Sequence, residues 1–118
     1  AFVDILPDGV VRAFAPFGST PTYDTVSSAA GEVEINRPHL AGCTYDGTTL
    51  RVWGDGRAVA SKGVDTPLTW GAAGSWRLGA NGGGNGLVGQ ILRAGVETSA
   101  WSQTQWATLY RQTMGAAS

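Results

Sequence analysis

Two Asp-Gly pairs, Asp46-Gly47 and Asp55-Gly56, stand nine residues apart with short apolar-rich runs on either side of each. Asp-Gly favours a tight hairpin turn because Asp and Gly tolerate the positive φ such a turn demands. The runs at residues 39–45, 48–53 and 57–61 therefore read as three consecutive antiparallel strands. Pro7-Asp8-Gly9 is a further turn signature, since Pro presets φ and Gly accepts a positive one. It joins expected strands at residues 2–6 and 10–15. Short strands at such regular spacing point to an all-β sandwich or barrel and away from an α/β fold.

The remaining chain reads on the same basis. Residues 16–21 form a break bounded by Pro16 and Pro21, residues 22–26 an expected strand, and residues 27–31 a loop. Glu32-Val33-Glu34-Ile35-Asn36 alternates polar and apolar positions, which predicts a half-buried strand with Val33 and Ile35 facing in. Further strands are expected at 68–70, 75–78 and 87–92, the last extended to Val96 past a bulge at Gly95. The tail changes character. Ser102 and Gln105 fit a capping box, and Trp101 and Trp106 stand where a hydrophobic staple would place them. Trp106, Leu109, Tyr110 and Thr113 follow helical spacing, so one helix is predicted over residues 103–114, stopped by Gly115.

A chain of 118 residues has room for one domain, spanning residues 1–118. Eight basic residues against nine acidic ones give a net charge of −1, without the basic surplus of a nucleic-acid binder. An apolar content of 42% with five Trp supplies a core, while the apolar runs are too short for insertion into a membrane. Cys43 is the only cysteine, so no disulfide staple forms within the chain, and stability rests on the core or on oligomerisation. The N-terminal Ala-Phe-Val-Asp lacks the features of a signal peptide. Either an initiator Met was removed or a longer precursor was cut, which leaves the compartment open.

Several segments resemble one family. Cys43-Thr44-Tyr45-Asp46-Gly47-Thr48-Thr49-Leu50-Arg51-Val52-Trp53-Gly54-Asp55-Gly56 is similar to the hairpin of laminin-G-like, concanavalin A-like lectin/glucanase domains. Trp76-Arg77-Leu78-Gly79-Ala80 resembles the next strand of that family. Gly89-Gln90-Ile91, Ala100-Trp101-Ser102 and Leu109-Tyr110 resemble its closing strand and helical tail. The likeness runs from residue 39 to 114. It implies an antiparallel β-sandwich of jelly-roll type with a short C-terminal helix. Leu92 and Arg37-Pro38 depart from the family pattern, and the usual N-terminal strands are lacking. An open sheet edge would be adhesive, so an assembly partner or oligomer is expected.

The candidate sites divide by chemistry. Glu32 and Glu34 on one strand face would stand about 7 Å apart, within the span of glycosidase carboxylates. The related hydrolases carry a Glu-x-Asp-x-Glu type pattern, however, and Asn36 cannot replace its last acid. A solvent-facing strand edge accounts for both glutamates, so no catalytic residue and no enzyme are expected. Cys43 with His39 would make a nucleophile and base, but i,i+4 on a strand is about 13 Å, too far for proton transfer. Calcium is the one cofactor weighed, through Asp8, Asp46, Asp55, Asp65, Asn81 and Asn85. These lie in turns without the clustered carboxylates that calcium needs, so no metal site is expected. The Asn81–Gly86 loop lacks the Lys-Ser/Thr and helix of a phosphate cradle. The best ligand surface is Trp70 with Tyr23 and the loop amides Asn81 and Asn85, since aromatic faces stack on sugars and amides bond hydroxyls. Trp53 and Trp76 read first as core.

Three functions follow as expectations. The first is a non-catalytic binding or adhesion module for carbohydrate or a protein surface. The second is a structural interaction protein, such as a virion capsid decoration or tail-fibre subunit. The third, a glycan hydrolase fragment, is opposed by Asn36. The first two favour an extracellular surface or a virion as location.

Overall fold

The computed structural model describes residues 2–17, 22–34, 36–64, 91, 93–96 and 99–114. Six strands and one helix follow in order: β1 (Phe2–Ile5), β2 (Val11–Phe17), β3 (Thr22–Ser27), β4 (Ala41–Tyr45), β5 (Thr49–Gly54), β6 (Arg57–Gly63) and α1 (Gln103–Met114). They form two three-stranded antiparallel sheets, β1-β2-β3 and β4-β5-β6. The sheets pack face to face, with β1 against β4, β2 against β5 and β3 against β6. This is the all-β sandwich with a short C-terminal helix that the turn spacing predicts. Each sheet is a meander among the described residues. The strands expected at 68–70 and 75–78, and most of the one at 87–92, lie outside the described residues.

The turns account for the register. At the β1–β2 connection Gly9 takes φ 82°, and the Leu6 amide donates to Val10 O at 2.9 Å. Asp55 and Gly56 both take positive φ, 52° and 85°, as a two-residue hairpin loop requires. In the β4–β5 connection Asp46 Oδ1 accepts from the Thr48 amide at 3.0 Å and the Thr49 amide at 2.8 Å. Its other oxygen takes a hydrogen bond from Arg51 at 2.9 Å. These donors hold the Asp46 carboxyl well below the usual carboxylate range, with Arg51 the largest cause.

The core lies between the sheets. Val11, Ala13 and Val26 from one sheet meet Leu50 and Val52 from the other, with Val33 and Val64 closing the ends. A bulge in the β5–β6 pairing sets Val52 opposite Ala60 but Trp53 opposite Ala58, leaving Val59 as the extra residue. Val59 is partly buried against the core.

Three expectations are corrected. Glu32, Val33, Glu34 and Asn36 are not in a strand: the Val33 amide donates to Gly9 O at 3.1 Å and the preceding Gly31 amide to Asp8 O at 2.8 Å, while Ile35, expected to face in, lies outside the described residues. Val33 is buried as expected, but by docking on the β1–β2 turn. The break at Pro16 lies inside β2, where Pro16 pairs with Tyr23. β1 pairs only with Val11 to Phe14, so among the described residues Pro16 has a strand neighbour on one side alone, and its missing donor costs no bond on the other. Finally, Ile91 and residues 93–96 adopt no regular structure, so neither the extension to Val96 nor the bulge at Gly95 forms. Val96 is 67% exposed.

Candidate functional site

The outer face of the β4-β5-β6 sheet positions the C-terminal helix. Cys43, Leu50 and Val52 point into the core, so their neighbours Gly42, Arg51 and Trp53 belong to the opposite face. Trp53 is nonetheless only 4% exposed, because α1 lies over it. The Trp106 ring stacks on Trp53 with centroids 5.5 Å apart and planes 16° from parallel. Trp53 Nε1 donates to Thr44 Oγ1 at 2.9 Å. The strand is smoothed for this contact: a Cβ on Gly42 would lie 2.2 Å from the Trp106 ring, and one on Gly56 would lie 2.8 Å from Tyr110 Cβ. Gln103 Nε2 donates to Gly56 O at 2.6 Å and fixes the start of the helix on the β5–β6 turn.

Local chemistry starts that helix as predicted. The Ser102 amide donates to Gln105 Oε1 at 2.8 Å, and the Gln105 amide donates back to Ser102 Oγ at 3.3 Å. Trp101 meets Trp106 edge to face, with centroids 5.4 Å apart and an interplanar angle of 64°. Trp53, Trp106 and Trp101 thus form a ladder from the sheet to the far side of the helix. There α1 and Arg93 enclose an open groove of about 300 Å³. Trp101 and Leu109 supply apolar walls, which make up most of its lining, and Thr104, Gln105, Thr108 and Gln112 border it with hydroxyls and amides.

A second cluster ties loops together. His39 Nδ1 lies 2.8 Å from Asp55 Oδ2, while Nε2 faces the Glu34 carbonyl. Asp55 Oδ1 also accepts from the Leu40 amide at 3.1 Å. The His39 side chain is 13% exposed. An imidazole–carboxylate pair can activate a nucleophile, but both His39 nitrogens already face structural partners. Cys43 is not one of them: it packs against the core, where burial pushes its thiol pKa up. The pair acts as a clamp between the 34–39 loop and the β5–β6 turn.

The two carboxylates considered as a glycosidase pair take different partners. Glu32 accepts from Arg57, and Glu34 accepts from Arg37 at 2.9 Å. They sit on a loop rather than a strand, so the shared face expected for them does not exist. Asp8, Asp46 and Asp55 each serve a different turn: Asp8 accepts from the Val10 amide, Asp46 braces the β4–β5 hairpin, and Asp55 holds His39. No group of three or more His, Cys, Asp or Glu converges among the described residues. Trp70, Asn81, Asn85, Asp65 and Trp76 lie outside the described residues. Tyr23 is in β3 opposite Pro16, but its side chain lies outside them too. The sequence reading missed the groove on α1. Its signal was present in Thr104, Thr108 and Gln112, polar residues four apart in a tail without acidic residues.

No protein-family model and no curated protein matches this sequence. The fold is similar to that of a solved S-layer domain-containing protein from Clostridium thermocellum ATCC 27405 (residues 221–444). The two share 15% identity with a TM-score of 0.51, over 86% of this chain and 52% of that one. This chain therefore spans about half the length of that structure, and at such identity the likeness is one of fold.

Proposed function

We propose that this chain is a non-catalytic binding module of a cell surface, engaging carbohydrate or a protein surface. The observation that carries the reading is the use made of Glu32 and Glu34. Glu32 is engaged by Arg57 from the β5–β6 hairpin and Glu34 by nearby Arg37, so each carboxylate stands in an ion pair of its own, which supports a role other than acid–base chemistry. A fold shared with an S-layer domain-containing protein, although it establishes no function, agrees with a surface role.

A glycan array, a size measurement in solution and a reducing-end assay test the proposal together. Retention on specific glycans, no release of reducing ends, and binding unchanged in the E32Q/E34Q double variant are expected. Release of reducing ends that this double variant abolishes would overturn it. A stable oligomer without any glycan response would favour the structural-subunit reading instead.

A further inference from the structure

Cations in the described chain are matched one to one with acids: Arg12 with Asp4, Arg37 with Glu34, Arg51 with Asp46, Arg57 with Glu32 and Lys62 with Asp24. Arg93 and Arg111 break this pattern, since neither meets a carboxylate among the described residues. Arg111 instead reaches Thr108 Oγ1 at 3.5 Å. Of the two, Arg93 lines the groove on α1, and Thr108 is part of its floor. The helix sequence QTQWATLYRQTM contains no acidic residue to offset them. One guanidinium without a carboxylate partner among the described residues thus lines this groove, on a chain whose net charge is −1.

The rest of the lining narrows the ligand. Gln103, Trp106 and Tyr110 turn towards the sheet, which leaves Thr104, Thr108 and Gln112 on the other side of the helix. Residues four apart on one helix face rise about 6 Å per step, roughly the scale of one sugar ring. Their hydroxyls and amide both donate and accept, as sugar hydroxyls require. Trp101 adds an apolar aromatic surface whose plane is set beforehand by its edge contact with Trp106. A guanidinium supplies a planar fork suited to a carboxylate or phosphate.

The geometry points to an acidic saccharide as the ligand of this groove: a sugar ring on Trp101, its hydroxyls on Thr104, Thr108 and Gln112, and its carboxylate or phosphate on Arg93. The assignment rests on the reading of the chain as a carbohydrate-binding module and gives that reading a site and a ligand class.

The test uses the whole chain and follows tryptophan fluorescence. The probes are an oligomer of galacturonic acid, a neutral galactose oligomer of equal length, a hexose phosphate and a poly-glutamate peptide. Galacturonate should bind and the neutral oligomer should not, with affinity falling as salt is raised. R93Q should weaken galacturonate binding about tenfold or more, as the loss of a charge-assisted contact implies. Q112A should weaken it less, and W101L should abolish the fluorescence response. Unchanged melting temperatures in R93Q and Q112A separate site loss from unfolding. Binding of hexose phosphate as well would assign the anion contact to phosphate and carboxylate alike, in support of the site. Sugar binding that R93Q and Q112A leave untouched would overturn the site while the module reading stands. Tighter binding of poly-glutamate than of any sugar would overturn the ligand class. No response to any sugar would overturn the site and the carbohydrate reading together.

Discussion

Trp106 of α1 lies stacked on Trp53 of β5, their ring centroids 5.5 Å apart, over a strand position where only glycine fits. That position is Gly42, paired with Trp53 across the β4–β5 ladder. A methyl group there would enter the Trp106 ring. Gly42→Ala should destabilise the domain by about 1–3 kcal/mol, the usual cost of overpacking. It should also alter the near-ultraviolet circular dichroism that two stacked indoles produce. Gly63, where an added Cβ meets nothing within 4 Å, is the control: Gly63→Ala should leave both signals in place.

The helix depends on its first turn, because none of its residues is fully buried. Ser102→Ala removes the acceptor of the Gln105 amide and leaves that donor without its cap. A loss of about 1 kcal/mol is expected in denaturant unfolding, with reduced helical signal. An equal stability in wild type and variant would show that Trp106 packing alone holds α1.

Asp46 gives the stability curve an acid limb. Its folded pKa lies below the unfolded one, chiefly because Arg51 and two backbone amides bond the charged form. Its contribution is therefore complete above the ordinary aspartate value of about 3.9 and is lost as pH falls through the lower folded value. Asp46→Asn keeps an acceptor for the hairpin but cannot titrate. Its stability should decline less steeply below about pH 4 than the wild type's, measured by urea unfolding at a series of pH values.

Cys43 should behave in the opposite sense. Burial raises its folded pKa, so its contribution is complete below the ordinary thiol value of about 8.5 and is lost as pH rises through the raised value. In the native protein the thiol should react slowly with an aromatic disulfide reagent at pH 8, and rapidly once urea unfolds the chain. Fast native reaction would mean that β4 opens readily.

The elements that were legible in the sequence are those whose causes are local. Ser102 and Gln105 are three residues apart and bond each other, so the helix start needs no tertiary information. Asp55-Gly56 carries its positive φ in its own composition. The alternation from Glu32 to Asn36 describes which side chains are apolar, not what the backbone bonds. The Val33 amide goes to the β1–β2 turn, more than twenty residues earlier in the chain. Asn36 then takes φ 66°, a choice that spacing does not reveal. Pro16 is illegible for a related reason, since its tolerance depends on where β1 ends.

The sequence by itself determined the antiparallel strands, their Asp-Gly turns and the capped helix, since each follows from residues within a few positions of one another. Only the tertiary structure decided that Trp53 would be sealed beneath Trp106, that Glu32 would meet Arg57, and that Arg93 would face the outer side of α1. The first two join residues 53 and 25 positions apart, and the third turns a side chain towards one neighbour and away from another. Such contacts arise when whole layers pack, and no short-range pattern encodes them.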